Sequence, residues 1–375
     1  MSPVAAAVVV ASIALAACSD GGATDGSTSV VESASTADSS AAQPATTSRP
    51  QESEATTAPV STVSDDAAEA EPVLDEEARG EVSTFPVTIE HGLGETIIES
   101  RPERVVALGA PEADALIALG ITPTAAPSNP TAPDGQYVWW DDALGSSTTL
   151  LVSDFSGAFN VEEVAALEPD VILAATSAVD DGTYALYSEI APTIPFLTAP
   201  FQDSWQTVTT MVGEAVGLPD EADELIVDTS ATVEQLRTLA PGIDGATYTF
   251  NVVPAPGTLI SVTEPADVAN QFFSDLGLDI APGVADLPRQ PGTGATISSE
   301  QLELIDADVV MMFYVSEAAA VATREQPTFA ATTAASEGRV IELTGDQAVA
   351  VRVPSVLAVP WLLESIGPQL MAALS

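Results

Sequence analysis

The sequence has little with which to bind a bare metal ion or to form disulfides. Its 375 residues include one cysteine, Cys18, and one histidine, His91. A single cysteine cannot form an intramolecular disulfide, so an exported form depends on its hydrophobic core for stability. Proteins that capture zinc, manganese or bare iron usually use several His or Cys ligands or clustered carboxylates. We therefore predict no metal ligands and no cofactor, and any metal bound must arrive already chelated.

Positive charge is also scarce. The nine basic residues are all arginine, the acidic residues number 55, and the formal net charge is −46. A nucleic-acid partner is excluded, because neutralising phosphates requires basic surface. Acidity of this kind favours solubility and bears only weakly on the choice of ligand.

The N-terminus is typical of a secreted lipoprotein. The run from Val4 to Ala17 is suited to the core of a signal peptide and is too short to cross a bilayer. It ends in Leu15-Ala16-Ala17-Cys18, which looks like a lipobox. We interpret residues 1–17 as the signal peptide and Cys18 as the acylated residue that anchors the protein to the extracytoplasmic face of the cell membrane. The basic segment that usually precedes such a core is missing, which leaves a start further upstream open.

Residues 18–83 follow as an acidic tether. The segment is made largely of Ala, Ser, Thr, Asp, Glu and Pro and has no aromatic residue. It cannot bury enough apolar surface to offset the entropy of ordering, so we predict disorder.

The rest of the chain predicts two α/β lobes, at 84–204 and 242–375, with a helical segment at 205–241 between them. An internal repeat supports this: Glu162 stands eight residues before Asp170, and Glu300 eight residues before Asp308, and each aspartate opens an apolar strand. A hairpin is predicted around Gly92. A helix over 220–239 would be about 30 Å long, enough to bridge two lobes.

Motifs within these lobes resemble those of the single-helix-linked class of periplasmic binding proteins, which serves ferric siderophore, haem and cobalamin importers. The matching segments are His91-Gly92-Leu93-Gly94-Glu95-Thr96, Arg101-Pro102-Glu103-Arg104-Val105-Val106-Ala107-Leu108, Ala115-Leu116-Ile117-Ala118-Leu119-Gly120, Leu167-Glu168-Pro169-Asp170-Val171-Ile172 and Ala307-Asp308-Val309-Val310. The resemblance implies two Rossmann-like α/β lobes joined by a single long α-helix, with a ligand cleft between them. The siderophore branch fits best, so we expect a monomer that captures a ferric siderophore and passes it to the permease of an ABC importer.

Glu162 and Glu300 are the predicted docking residues. Asn160 with Glu163, and Ser298 with Gln301, are spaced as capping boxes, which would place each glutamate in the first turn of a helix. The resemblance implies that one such glutamate in each lobe pairs with arginines of the permease. The alternative is a pair of helix-start acids with no partner.

An amphipathic chelate calls for aromatic faces and a few fixed charges in the cleft. The candidates are aromatic residues that follow the first βα unit, two arginines of the C-terminal lobe that could bind a ligand oxygen, and two weaker aromatic candidates. These residues are Tyr137, Trp139 and Trp140; Arg289 and Arg352; Tyr314 and Trp205. Packing or surface ion pairing is the alternative role for each.

Three alternative functions were weighed. A haem or corrinoid binder of the same fold could use Tyr314 or Tyr137 as an axial ligand. An α/β enzyme is disfavoured, since there is no Gly-x-Ser-x-Gly elbow, no Walker loop and no Gly-x-Gly-x-x-Gly after a strand. A surface adhesin would suit the tether but not the two-lobed pattern.

Overall fold

The computed structural model describes residues 84–140, 143–144, 146–153, 157–177, 179–288 and 294–375. The strands in these ranges form a two-stranded hairpin and two larger sheets of five and six strands. The predictions for the signal peptide, Cys18, the tether and Arg289 lie outside the described residues.

The described chain begins with a hairpin of β1 (Val87–His91) and β2 (Gly94–Ile98), which pair antiparallel. Ile89 and Ile98 are buried between more exposed neighbours, as expected of strands with one covered face. Gly94 has φ 134°, a conformation open to glycine. The predicted hairpin is confirmed.

His91 stabilises this hairpin. The Leu93 amide donates to His91 Nδ1 at 3.2 Å, and His91 Nε2 lies 3.0 Å from Thr96 Oγ1. The ring of Tyr184 packs edge-on against it. Burial lowers the pKa of His91, which favours the neutral ring that these contacts require. His91 therefore has a structural role in the hairpin.

The first lobe is built on a parallel sheet with the strand order β5-β4-β3-β6-β7. The strands are β3 (Val105–Ala107), β4 (Ala125–Pro127), β5 (Thr149–Leu151), β6 (Val171–Leu173) and β7 (Thr193–Ile194). The helices are α1 (Ala110–Ala118), α2 (Val161–Ala166) and α3 (Asp181–Ser188), with a 3₁₀ turn at Val138–Trp140. Since β4 and β6 flank β3, the strand order reverses there. In such sheets the crevice outside the carboxyl ends at the reversal is the usual ligand site.

Two helices follow, α4 (Trp205–Val216) and α5 (Pro219–Leu239). Gly217, at φ 76°, ends α4 in the left-handed conformation, and Pro219 begins α5. A Cβ on Gly213 would lie 2.4 Å from the Cβ of Ala222, so the bare glycine allows the two helices to touch. The predicted helix over 220–239 is confirmed as α5.

The second lobe has a mixed sheet in the order β11-β9-β8-β12-β13, with β10 beside the start of β8. Its strands are β8 (Thr247–Ala255), β9 (Thr258–Ser261), β10 (Asp279–Ile280), β11 (Ala295–Ser298), β12 (Val309–Tyr314) and β13 (Val340–Leu343). Its helices are α6 (Val268–Asp275), α7 (Pro282–Ala285), α8 (Glu317–Arg324), α9 (Pro327–Ala330), α10 (Thr333–Ser336), α11 (Gly345–Arg352) and α12 (Ala358–Ala373), with a 3₁₀ turn at Leu302–Ile305. Strands β8, β12 and β13 are parallel, and β9 is antiparallel to both neighbours.

A continuous apolar core connects the two lobes. Helix α12 packs along α5, where Gly367 allows the side chain of Leu236 to approach. Buried residues of α1, α4, α5 and α12 belong to one cluster with residues of both sheets. The lobes therefore share packed surface along these helices.

The same arrangement of hydrogen bonds occurs at both copies of the internal repeat. Asp170 Oδ2 accepts the amides of Glu103 and Arg104, at 3.0 and 2.8 Å, just before β3. Asp308 Oδ2 accepts the amide and the hydroxyl of Thr247, both at 2.8 Å, at the start of β8. In each lobe the aspartate that opens a strand fixes the beginning of the neighbouring strand, which satisfies backbone donors at the sheet edge.

The repeat is not exact after β11. Asn160 caps α2, because its Oδ1 accepts the amides of Glu162 and Glu163. In the second lobe a turn and the 3₁₀ segment at Leu302–Ile305 replace the expected helix, and Glu300 lies in that turn. The prediction that Glu300 occupies the first turn of a helix is wrong. The turn is closed by the Gln301 amide donating to the Ser298 carbonyl at 2.9 Å.

Candidate functional site

The carboxyl ends of the parallel strands in the two lobes face each other. Asn129 follows β4, and Asp346 follows β13 at the start of α11. Asn129 Nδ2 donates to Asp346 Oδ1 at 3.1 Å, and Thr131 Oγ1 donates to the same oxygen at 3.4 Å. A Cβ on Gly345 would lie 3.2 Å from the Cβ of Thr131. The cleft between these edges is the candidate binding site, at the position that α/β sheets favour.

A buried carboxylate makes a second contact between the lobes. Asp114 of α1 has no exposed surface and accepts hydrogen bonds from the indoles of Trp139 and Trp140 and from the Ser355 hydroxyl. Ser355 Oγ in turn accepts the Ala358 amide at 2.9 Å, which caps α12. Burial raises the pKa of Asp114 to about 7, against the lowering effect of its three donors.

Glu112 is the other buried carboxylate of α1. Its Oε1 accepts the Thr176 amide at 2.9 Å, and its Oε2 accepts the Thr176 hydroxyl at 2.6 Å. Thr176 lies after β6, so Glu112 connects two segments at the carboxyl edge, beside the reversal of strand order. Burial raises the pKa of Glu112. Sequence reasoning missed Glu112 and Asp114, although two acids within an apolar helix just after a buried strand were a visible signal.

The space between the lobes is small in this conformation. One cavity of about 10 Å³ is lined by Pro111 and Thr176 of the first lobe, by Val268 and Val353 of the second, and by Phe201. Sites for drug-sized ligands typically have volumes of about 300–1,000 Å³. A bulky ligand can therefore enter only after the two carboxyl edges separate.

The three predicted cleft aromatics form a packed cluster. The ring centroid of Tyr137 lies 5.1 Å from that of Trp139 and 4.6 Å from that of Trp140. Trp139 lies 5.4 Å from Trp361 of α12. All three are buried, and Trp140 completely so, which agrees with the alternative role of packing in this conformation. Their contact with a ligand stays a prediction that requires the lobes to separate.

Arg352 is buried and paired. Its Nη1 lies 3.1 Å from Asp267 Oδ1, and its guanidinium lies 4.7 Å from the ring centroid of Phe201. Asp267 also caps α6 by accepting the Ala269 amide. Burial raises the pKa of Asp267 and outweighs the lowering by Arg352. The charge of Arg352 is thus balanced before any ligand arrives.

The two weaker candidates have different surroundings. Tyr314 ends β12 and is half-buried, with the Arg324 guanidinium 5.5 Å from its ring centroid. Burial raises the pKa of Tyr314 to about 12. Trp205 begins α4, is 3% exposed and belongs to the core shared by the lobes. Trp205 is therefore a packing residue in this conformation.

Glu162 and Glu300 occupy corresponding edges of the two sheets. Glu162 follows β5, and Glu300 follows β11, which runs in the same direction as β8 because β9 is antiparallel to both. Both glutamates therefore follow the carboxyl ends of strands, and both are exposed. This placement is compatible with docking, which stays a prediction.

Comparison with known proteins identifies the family. A family model described as periplasmic binding protein matches residues 105–347. The chain belongs to this family of substrate-binding proteins. Its relatives include the ferric enterobactin-binding periplasmic protein of Escherichia coli, 26% identical over 54% of this chain, and the Fe(3+)-citrate-binding protein of Bacillus subtilis, 25% identical over 58%. The matches span 64% and 65% of those two relatives, just under two thirds of each.

The family also includes solved structures of the same two-lobed fold. A periplasmic solute-binding protein from Mycobacterium smegmatis is 28% identical, with a TM-score of 0.67 over 77% of this chain and 99% of that protein. This likeness confirms the predicted fold. Among the described residues, no helix has the length and apolar character needed to cross a membrane.

Proposed function

We propose that the protein is an extracytoplasmic solute-binding protein that captures a ferric siderophore and delivers it to the permease of an ABC importer. The observation that carries the proposal is the pair of carboxyl edges held face to face by Asn129 and Asp346. In a family of binding proteins this arrangement supplies two walls that can close on a ligand. The names of two relatives say that the E. coli protein binds ferric enterobactin and that the B. subtilis protein binds Fe(3+)-citrate.

The donor atoms of the cleft support capture of a chelate and not of a bare ion. Within the described ranges, no group of three or more His, Cys, Asp or Glu side chains is placed to hold a metal ion. Glu112 and Asp114 already accept two and three hydrogen bonds from neighbouring groups. In this proposal the ferric ion is cargo, carried within its own ligand, and no cofactor takes part.

The proposal includes a membrane anchor and a docking partner. Acylation of Cys18 would hold the protein at the extracytoplasmic face, with residues 18–83 as the tether. Glu162 and Glu300, exposed at corresponding edges of the two lobes, would contact the permease. We further propose that the chain binds and releases its ligand as a monomer, without catalysing a reaction.

The test is a fluorescence titration of the purified chain with ferric hydroxamate, catecholate and carboxylate complexes, and with haem and cobalamin as controls. We expect at least one ferric complex to change the emission and to saturate it. A Soret shift with haem, with no response to any ferric complex, would show instead a haem-binding protein of the same fold.

A further inference from the structure

The positive charges of the described chain lie mostly away from the cleft. Arg104 precedes β3, Arg339 precedes β13, and Arg237 lies near the end of α5, ahead of β8. Each is therefore at the amino end of a sheet strand. Because the carboxyl edges of the two sheets face each other, these amino edges point outward.

The same arginines are already paired. Arg104 lies 3.2 Å from Glu168, Arg237 lies 2.8 Å from Asp244, and Arg339 lies 3.0 Å from Glu337. Such pairs at the surface serve local structure and leave no excess charge to attract a distant ligand.

Two described arginines lie closer to the ligand edges, and both are balanced by a carboxylate. Arg324 Nε donates to Glu342 Oε1 at 2.8 Å, beside Tyr314 at the end of β12. Arg352 pairs with Asp267 at the junction of the lobes. Neither presents a net positive charge to a ligand.

Two carboxylates lie at the carboxyl edges that border the cleft. Glu112 and Asp346 lie on segments that follow β3 and β13. Asp346 has its hydrogen-bond donors, Asn129 and Thr131, in the opposite lobe. When the lobes separate to admit a ligand, Asp346 loses these donors, and its negative charge faces the incoming complex.

Ferric complexes differ in charge according to their ligand groups. Each hydroxamate carries one negative charge, so three of them neutralise the ferric ion. Each catecholate carries two, which leaves a tris-catecholate complex trianionic. Among the described residues, Asp346 lies at the edge of the cleft, and the nearest arginines, Arg324 and Arg352, are paired with acids. Such a surface repels an anion in a partly desolvated cleft, and repulsion against the wrong ligand is an effective source of specificity.

We propose that this cleft selects uncharged or cationic ferric complexes, the hydroxamate class, over trianionic tris-catecholates. This inference rests on the proposed function, which it makes more specific. Arg289 lies outside the described residues, so its contribution is included in the test.

The experiment measures dissociation constants for ferrioxamine B, a cationic tris-hydroxamate, for uncharged ferrichrome and for ferric enterobactin, on the full mature chain. We expect both hydroxamate complexes to bind at least about tenfold more tightly than the tris-catecholate at low ionic strength. The difference should shrink as salt is added, since salt screens the repulsion. The variant Arg289→Gln should keep the hydroxamate preference.

A variant that removes one negative charge tests whether Asp346 causes the selectivity between the two classes of complex. Asp346→Asn keeps the shape of the side chain, and we expect it to raise the affinity for ferric enterobactin relative to the affinity for ferrichrome. Glu189→Gln, an exposed acid before β7 at an outward edge, is the matched control and should change neither. Tighter binding of ferric enterobactin by the unmodified chain overturns the charge selectivity and leaves the proposed function intact. Failure of all three complexes to bind contradicts the proposed function itself.

Discussion

Asp114 and Ser355 share a buried hydrogen bond that connects helix α1 of the first lobe to the start of helix α12 in the second. The same carboxylate accepts the indole N–H groups of Trp139 and Trp140. Asp114 therefore joins the aromatic loop, the first lobe and the C-terminal helix at one point. No described basic residue forms an ion pair with it, so only hydrogen bonds stabilise its charge.

The first prediction concerns pH. Burial raises the pKa of Asp114 from 3.8 to about 7, so between these values the folded state holds a proton that the unfolded state has released. The free energy of unfolding then falls as pH rises through this window. Thermal unfolding between about pH 4 and about pH 7 should show this slope, and Asp114→Asn should reduce it.

Glu112 contributes in the same direction, because burial raises its pKa too. Some slope should therefore remain in Asp114→Asn, while Glu189→Gln, an exposed acid, should keep the full slope. Equal slopes in the unmodified chain and in Asp114→Asn would show that the carboxyl does not titrate in this window. The Asn variant should also lose about 1–3 kcal/mol of stability. The reason is that the NH₂ group of its side chain would face the indole N–H and hydroxyl groups that donate to Asp114.

The second prediction concerns the buried ion pair. Arg352→Met leaves Asp267 buried without its cation, which should cost about 3–5 kcal/mol in the free energy of unfolding. The double variant Arg352→Met with Asp267→Asn removes both charges and should recover part of that loss. Urea denaturation of the four forms measures the coupling. Additive losses would mean that the pair does not form in solution.

The third prediction concerns docking. Glu162→Arg combined with Glu300→Arg should abolish ferric siderophore uptake by cells while leaving the dissociation constant of the purified protein unchanged. Both side chains are exposed and neither lines the described cavity between the lobes, so ligand binding should not depend on them. Glu163→Arg, a neighbouring exposed residue on the same helix turn, is the control and should retain uptake. A loss of ligand affinity in the double variant would contradict the docking role.

The fourth prediction concerns lobe separation. Trp139 and Trp361 lie 5.4 Å apart across the lobes, so separation should alter the emission of both indoles. Trp361→Phe should lose most of the fluorescence change on ligand binding. Trp205→Phe removes an indole from the core at the start of α4 and should keep that change. If the two variants respond alike, the emission change does not report separation at this contact.

Much of the architecture could be predicted because its signals are local. The hairpin was visible in the alternation around Gly92, and α5 in a helical pattern bounded by Pro219 and Pro241. Asp170 and Asp308 were recognised as repeat positions, although their role in fixing β3 and β8 became clear only from their hydrogen bonds. Glu300 was misassigned because the same spacing of cap residues is compatible with a 3₁₀ turn.

The candidate site was harder to predict, because burial and pairing depend on distant residues. Because basic residues are scarce, Arg352 was expected to be available to a ligand. Instead Asp267, 85 positions away in the sequence, neutralises its charge. Trp140 was a candidate for contact with a ligand, yet it is fully buried against Asp114. Composition identifies which residue types are rare and gives no information on which partners surround them.

By itself, the sequence determined that two α/β lobes joined by a long helix would form, since hydrophobic periodicity and turn residues act over short stretches of chain. The tertiary structure decided that Asn129 would meet Asp346 and that Asp114 would meet Ser355, contacts that span 217 and 241 positions. Contacts of that range depend on how the lobes pack together, and local patterns do not encode that packing.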